Sequence, residues 1–161
     1  MKITDVKISN DIDVSFIYHT HQCREAALLR KKIMTKIYSY LIDQVTFNQM
    51  PKYITPEKLA IRFGLLIPLQ EDNIGHLDVK GPKMVYCSDI EGMSFKYNMP
   101  IIYLDEEETL KCTLKLKKDC GETHAKWNPV ASLKFKECEE GFLFSFELTG
   151  MLSYEEIMNQ L

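Results

Sequence analysis

The sequence predicts an α+β fold. Three observations carry it: strand-like alternation recurs near both ends of the chain, few stretches have helical spacing, and strands and helices do not alternate regularly as a doubly wound sheet requires. The first strand is Asp13–Tyr18, where Val14, Phe16 and Tyr18 alternate with smaller or polar neighbours. A helix follows from about Gln22 to Ile37, because Ala26, Leu29, Ile33 and Ile37 recur every three or four residues with Arg30, Lys31 and Lys32 between them. Leu28, Met34 and Tyr38 widen its apolar face, so the helix is expected to pack on its own sheet and on another subunit at once.

Tyr40 to Phe47 reads as the next strand. Thr55, Pro56 and Glu57 then supply an N-cap, a proline at the first helical position and an acidic first turn, and Gly64 is expected to close this helix from the C′ position. The pattern weakens between Glu71 and Met99, where Leu77–Lys80 and Met84–Cys87 read as short strands around the turn pair Gly81-Pro82. It sharpens again at Leu110, Cys112, Leu114 and Leu116, which alternate with Lys111, Thr113, Lys115 and Lys117 as in a sheet wet on one face. Leu133 and Phe135 alternate with lysines, whereas the run from Phe142 to Leu148 is apolar on nearly both faces and reads as a central strand. Ser153 and Glu156 form a capping box that opens a last, short helix in which Ile157 and Leu161 share a face.

The 161 residues suffice for a core without disulfides, since a chain of this size buries roughly 70% of its unfolded surface. A net charge of −3 offers no global positive field to neutralise phosphates, which favours a protein partner over general nucleic-acid binding. The five cysteines are odd in number, scattered and never in a C-x-x-C pair, so they read as reduced thiols of an intracellular protein. No apolar run approaches the roughly 20 residues of a membrane span, and no signal-peptide pattern opens the chain.

Candidate chemistry is sparse. His19, His21 and Cys23 would share one strand face and suit zinc by type, yet a strand alone does not close a tetrahedral site and no second ligand pair lies nearby. A stand-alone intracellular Cys/His-dependent enzyme, the competing functional class, could pair a thiol and its base, for example Cys120 with His124, but no nucleophile elbow, metalloprotease motif or phosphate-binding glycine loop accompanies them. Asp105–Glu108 reads as a solvated turn and the basic residues of the first helix as its wet face. No catalytic residue, cofactor or metal is expected.

Two stretches remain whose residue order serves no local structural need. Gly121-Glu122-Thr123-His124-Ala125-Lys126-Trp127-Asn128-Pro129-Val130 holds the only tryptophan and a proline that pushes Asn128 toward extended geometry. The other runs from Ile61 through Arg62, Phe63 and Gly64 to Pro68 and Leu69. The first resembles the E-H-A-K-W-x-P-V motif, and the second the H-R-L-G-L-I-P-L motif, of the alpha-like subunits of multisubunit RNA polymerases, called D in archaea and the third-largest subunit in eukaryotes. Ala27-Leu28-Leu29-Arg30-Lys31 followed by Tyr40-Leu41-Ile42-Asp43 resembles the family's N-x-L-R-R helix and its strand ending in I-D, and Ser153-Tyr154-Glu155-Glu156 resembles its closing S-x-E-E. Alanine replaces the family's asparagine at Ala27, and Lys31 the second arginine, so a bidentate contact is not expected there.

The resemblance implies a split dimerisation domain, an antiparallel sheet with helices formed by residues 1–45 plus 132–161, with a mainly-β domain inserted at 46–131. It implies a non-catalytic assembly subunit whose partners are a small eleventh-subunit-like or L-like chain, the second-largest catalytic subunit and small zinc-bearing subunits, with DNA reached only through the complex. By the same resemblance Leu29, Arg30, Lys31, Ile33 and Ile37 face the small partner, and Arg62, Gly64, Pro68, His124, Lys126 and Trp127 face the catalytic subunit or shape the surface that does. The chain lacks the cysteine-rich zinc loop or iron–sulfur module of some members, and its last helix stops at Leu161, as in a minimal version of the family from a virus or a reduced system. Its compartment follows its source: the nucleus in a eukaryote, the cytoplasm, virion or viral factory otherwise.

Overall fold

A computed structural model describes residues 1–69 and 74–161, so the start of the weakly patterned stretch at Glu71 lies outside the described residues. In chain order the elements are β1 (Ile3–Ser9), β2 (Asp13–Tyr18), α1 (Cys23–Thr35), β3 (Tyr38–Gln49), α2 (Pro56–Gly64), β4 (Ile74–Lys80), β5 (Lys83–Tyr86), β6 (Pro100–Leu104), β7 (Thr109–Cys120), β8 (Val130–Cys138), β9 (Gly141–Leu148) and α3 (Tyr154–Met158). The fold is sheet-rich with few helices, as the alternation predicts. The chain forms two compact units, Met1–Ser39 with Asp119–Leu161, and Tyr40–Lys118. These junctions differ from the expected 45/46 and 131/132: the chain leaves the first unit inside β3 and returns inside β7, so the segment from Asp119 to Ala131 belongs to the first unit.

The first unit is built on an antiparallel sheet of order β1-β2-β9-β8. β9 is central, as its two-faced apolarity predicts. Phe16, Phe144 and Phe135 lie in register across β2, β9 and β8, and Phe144 stacks on both neighbours with ring centroids 5.2 Å apart. α1 closes this core with Ala26, Leu29 and Ile33, while Ile37 just beyond it and Ile157 of α3 complete the same cluster. Gly141 begins β9 with φ +143°, where a side chain is strained, and an added Cβ would stand 2.3 Å from the Tyr18 carbonyl oxygen. The capping box forms as read: Ser153 Oγ accepts from Glu156 N at 3.2 Å and the Glu156 carboxylate from Ser153 N at 2.7 Å. β1 escaped the sequence reading because it is a mostly exposed edge strand with a register shift between Thr4 and Lys7, which breaks period two.

The second unit contains a three-stranded sheet of order β3-β7-β4 and a two-stranded β5–β6 pair. Leu110, Cys112 and Leu114 of β7 point into a core shared with Leu59 and Phe63 of α2, Leu77, Val85, Ile102 and Leu104. Leu116 is only half-buried, so the inward face weakens toward the end of β7. The two short strands around Gly81-Pro82 are present but do not pair with each other: β4 bonds to β7 and β5 to β6. Thr55 caps α2 as expected, accepting from Lys58 N at 3.4 Å. Gly64 differs from expectation. It is the last helical residue, and the chain continues right-handed at Leu65 (φ −89°) with Leu65 N bonded to Arg62 O at 3.3 Å, so no left-handed residue ends this helix.

Truncating Phe144 to alanine removes the middle ring of the row and is expected to destabilise the first unit by roughly 3–5 kcal/mol, whereas Ser153→Ala costs about 1 kcal/mol. Denaturant unfolding followed by Trp127, the sole tryptophan and a residue of that unit, measures both.

Candidate partner-docking surfaces

The segment from Asp119 to Val130 is a strap across the C-terminal end of α1. Its first turn is fixed by Asp119, whose Oδ1 accepts from Cys120 N at 2.8 Å and Thr123 Oγ1 at 2.6 Å. Gly121 then passes so close to the helix that a Cβ would lie 2.1 Å from the Met34 carbonyl oxygen. Glu122 N donates to Thr35 O at 3.2 Å, its carboxylate pairs with Lys36, and Asn128 Nδ2 reaches Met34 Sδ at 3.4 Å. Helix ends leave carbonyls without intrahelical partners, and the strap supplies a donor to one of them. A single turn of 3₁₀-helix, Ala125–Trp127, follows, with His124 Nδ1 accepting from Lys126 N at 3.0 Å.

That geometry divides the motif residues. His124 and Lys126 are exposed, with Lys126 Nζ 4.9 Å from the centre of the Trp127 ring. Trp127 itself is 1% exposed, and its carbonyl accepts from the buried Ser39 hydroxyl at 3.0 Å. Its side chain is therefore internal support in this chain rather than a surface contact. Leu29, Ile33 and Ile37 of α1 are likewise buried, against their own sheet, where the helix spends its apolar stripe. Arg30 and Lys31 are exposed, and so is Leu28, which sequence reasoning noted only as widening the stripe. Leu28 borders a shallow hollow of about 320 Å³ lined also by Met1, Tyr18, Glu25, Lys32 and Leu161.

In the second unit Arg62 donates from Nη1 to the Ile101 carbonyl at 2.9 Å, tying α2 to the edge of β6. Gly64 and Pro68 are half-buried, and Pro68 makes an isolated antiparallel bridge with Phe95. The outward residues of this motif are Ile61, Leu65 and Leu69, 65%, 75% and 63% exposed. Sequence periodicity held the signal for the first two: Leu59 and Phe63 mark the buried side of α2, and Ile61 and Leu65 repeat four apart on another side.

Cysteine and histidine chemistry fares poorly. Cys120 is buried, and His124 Nδ1 is engaged as an acceptor by the strap itself. Burial pushes the Cys112 thiol up to about 12. His19 Nε2 lies 2.7 Å from Thr4 Oγ1, while His21 and Cys23 are exposed. Among the described residues no group of three or more His, Cys, Asp or Glu side chains converges as a metal site, and no helix is long and apolar enough to cross a membrane.

Two outcomes follow for the strap and the thiols. Gly121→Ala should displace the strap from α1 and lower the unfolding midpoint, and Lys36–Glu122 should add a small, salt-sensitive increment. The hydrogen bond and charge of Lys36 hold the Glu122 carboxyl below its ordinary value, so that increment is present above pH 4.5 and is lost as pH falls further. The same bond raises Lys36, so the increment is also lost above pH 10.5. Alkylation mapped by mass spectrometry should label Cys23 in the native chain and reach Cys112 and Cys120 only after unfolding; fast native labelling of Cys120 would reopen the enzyme reading.

No protein-family model matches the chain. Two curated archaeal proteins are similar to it. The DNA-directed RNA polymerase subunit Rpo3 of Methanobrevibacter smithii is 25% identical over 160 residues, covering 84% of this chain and 58% of that protein. The subunit Rpo3 of Thermococcus kodakarensis is 24% identical over 123 residues, covering 65% of this chain and 48% of that protein. The chain thus spans about half the length of the curated relatives it matches. Motifs and overall similarity point the same way: the chain is similar to the alpha-like subunits of multisubunit RNA polymerases.

Proposed function

We propose that this chain is a non-catalytic assembly subunit of a multisubunit DNA-dependent RNA polymerase, acting inside the cell. The observation that carries this reading is the similarity to two Rpo3 subunits, together with the ordered motifs at Arg62–Leu69 and His124–Val130. The first unit acts as the split dimerisation domain and the second as the inserted one. A small L-like subunit packs on the outer side of α1, meeting Leu28, Arg30 and Lys31 over the hollow that ends at Leu161. Arg30 suits such a contact because its planar donors orient a partner, and Leu28 because its burial there would release apolar surface from water.

The second-largest catalytic subunit meets the exposed residues of the two motifs: Ile61, Leu65 and Leu69 in one unit, His124 and Lys126 in the other. Arg62, exposed but tied to the Ile101 carbonyl, the half-buried Gly64 and Pro68, and the buried Trp127 hold those surfaces in shape. Small zinc-bearing subunits join the same platform, and DNA is reached only through the assembled complex. Nucleotidyl transfer belongs to the large subunits.

Co-expression with a small L-like subunit tests the proposal. The chain alone should be poorly soluble or self-associate, and should become soluble and co-elute with that partner. Leu28→Asp should abolish co-elution while circular dichroism stays unchanged, whereas Ile33→Asp should unfold the first unit outright, because it places a charge in the core. A well-behaved monomer that ignores the small subunit would count decisively against the role.

A further inference from the structure

The β5–β6 pair has one face in the core and one in water. Val85, Ile102 and Leu104 point inward. On the other side Met84 of β5 stands opposite Tyr103 of β6, and Tyr86 continues the face two residues on. Met84, Tyr86 and Tyr103 are 38%, 38% and 49% exposed, and Met99 and Tyr53 beside them 49% and 60%. The Tyr53 hydroxyl donates to the Tyr103 carbonyl, and Arg62 Nη1 to the Ile101 carbonyl, so two side chains already occupy the carbonyls on this edge of β6. An added strand finds that edge blocked, and only the face is open.

Charge selects what can lie there. The turn that leaves β6 is Asp105-Glu106-Glu107-Glu108, and Asp105 follows Tyr103 by two residues. Among the nearby cations Lys83 is held by Asp89 at 2.9 Å and Lys80 stands 4.0 Å from Glu107. Arg62 bonds the neutral Ile101 carbonyl and keeps its charge, so Arg62 and Lys52 stand against Asp105, Glu106 and Glu108, the last of which also accepts from Asp105 N at 2.7 Å. Partial burial raises the Tyr53 phenol, and the charges of Glu108 and Asp105 raise it further against the opposing pull of Arg62. The carboxylates of Asp105 and Glu108 therefore reach Tyr53, at the rim of the aromatic face. Phosphate backbones would be repelled, and a second copy docked about a two-fold axis would bring acidic turn toward acidic turn.

We propose that the Met84–Tyr86–Tyr103 face, with Tyr53 and the Asp105–Glu108 turn as its rim, docks a basic segment of a protein partner. Arginine or lysine heads would sit over the tyrosine rings and against the carboxylates, and aliphatic side chains would cover Met84. The surface deepens the assembly role by naming the chemistry of one partner, and its test does not depend on that role. The full chain, labelled with nitrogen-15, is titrated with a short blocked peptide of alternating arginine and leucine, and with one of alternating glutamate and leucine. The basic peptide should shift the amides of Met84, Tyr86, Tyr103 and Glu106, and the acidic peptide should leave them unmoved. Glu106→Gln/Glu107→Gln, which touches no core group, should weaken binding roughly fivefold. Tyr103→Ala/Met84→Ala should weaken it roughly tenfold. Equal response to both peptides, shifts centred elsewhere, absence of binding, or insensitivity to the variants would each overturn the proposal, while co-elution with a small subunit judges the assembly role separately.

Discussion

The pairing of β2 with β9 is the constraint on which the first unit depends. It joins residues 13–18 to residues 142–147, so the core cannot close until nearly the whole chain is available. The row Phe16–Phe144–Phe135 is what makes the closure favourable. Burying a phenylalanine contributes about 1.5–3 kcal/mol, and each well-placed ring pair adds roughly 0.5–1.5 kcal/mol. Contacts of such sequence separation form late, because loop closure must be met before they help. The second unit has no such dependence. Its core draws only on residues between Ile42 and Leu114, so residues 40–118 carry the means of their own stability while the first unit waits for β9.

The same constraint explains why α1 offers a partner less than its sequence promises. A sheet with one wet and one dry face needs a cover, and Ala26, Leu29 and Ile33 supply it. Period 3.6 reveals that a stripe is buried; it does not reveal by whom. Leu29, Ile33 and Ile37 were legible as buried, and the pattern could not divide them between their own sheet and a partner. Where both faces of an element are apolar, as in β9, the pattern left no such choice, and its central place could be read directly. Caps were legible for a related reason: Ser153 with Glu156 and Thr55 with Pro56 act within one turn, so no distant residue can overrule them. β1 and β6 were not legible, one being an irregular edge and the other a short strand whose partner lies across a loop.

The strap shows the opposite failure. Its residue order looked like a surface written for a partner, yet most of its polar groups are engaged locally: Asp119 with its own turn, Glu122 with α1, Asn128 with Met34 and Val130, and Trp127 with Ser39. An unusual sequence was needed because a close crossing demands it. Only glycine fits at Gly121 against the Met34 carbonyl, and a ring nitrogen at His124 replaces a backbone acceptor in a turn too short to supply one. What remains outward includes His124 and Lys126, on a base held by those local bonds. Local hydrogen bonds of this kind favour recognition, since a side chain that is already positioned loses less freedom on binding.

Apolar surface is distributed in small, separate places: Leu28 on α1, Ile61 and Leu65 on α2, and Met84, Tyr86 and Tyr103 on the β5–β6 pair. None resembles the large continuous interface of an obligate pair, and a few side chains in water are compatible with any folded chain. Their meaning comes from what surrounds them. Leu28 adjoins Arg30 and Lys31, whereas Tyr103 adjoins Asp105 and the three glutamates after it. On the proposed assembly role, opposite local charges on otherwise similar apolar anchors would give different partners different long-range fields, even though the chain as a whole carries only −3. Apolar contact supplies affinity with little discrimination, and charge supplies discrimination with little affinity. A scaffold of the proposed kind, seating several neighbours without confusing them, would need both at each place, and the cost of placing a wrong neighbour there would be a like charge brought into a drying interface.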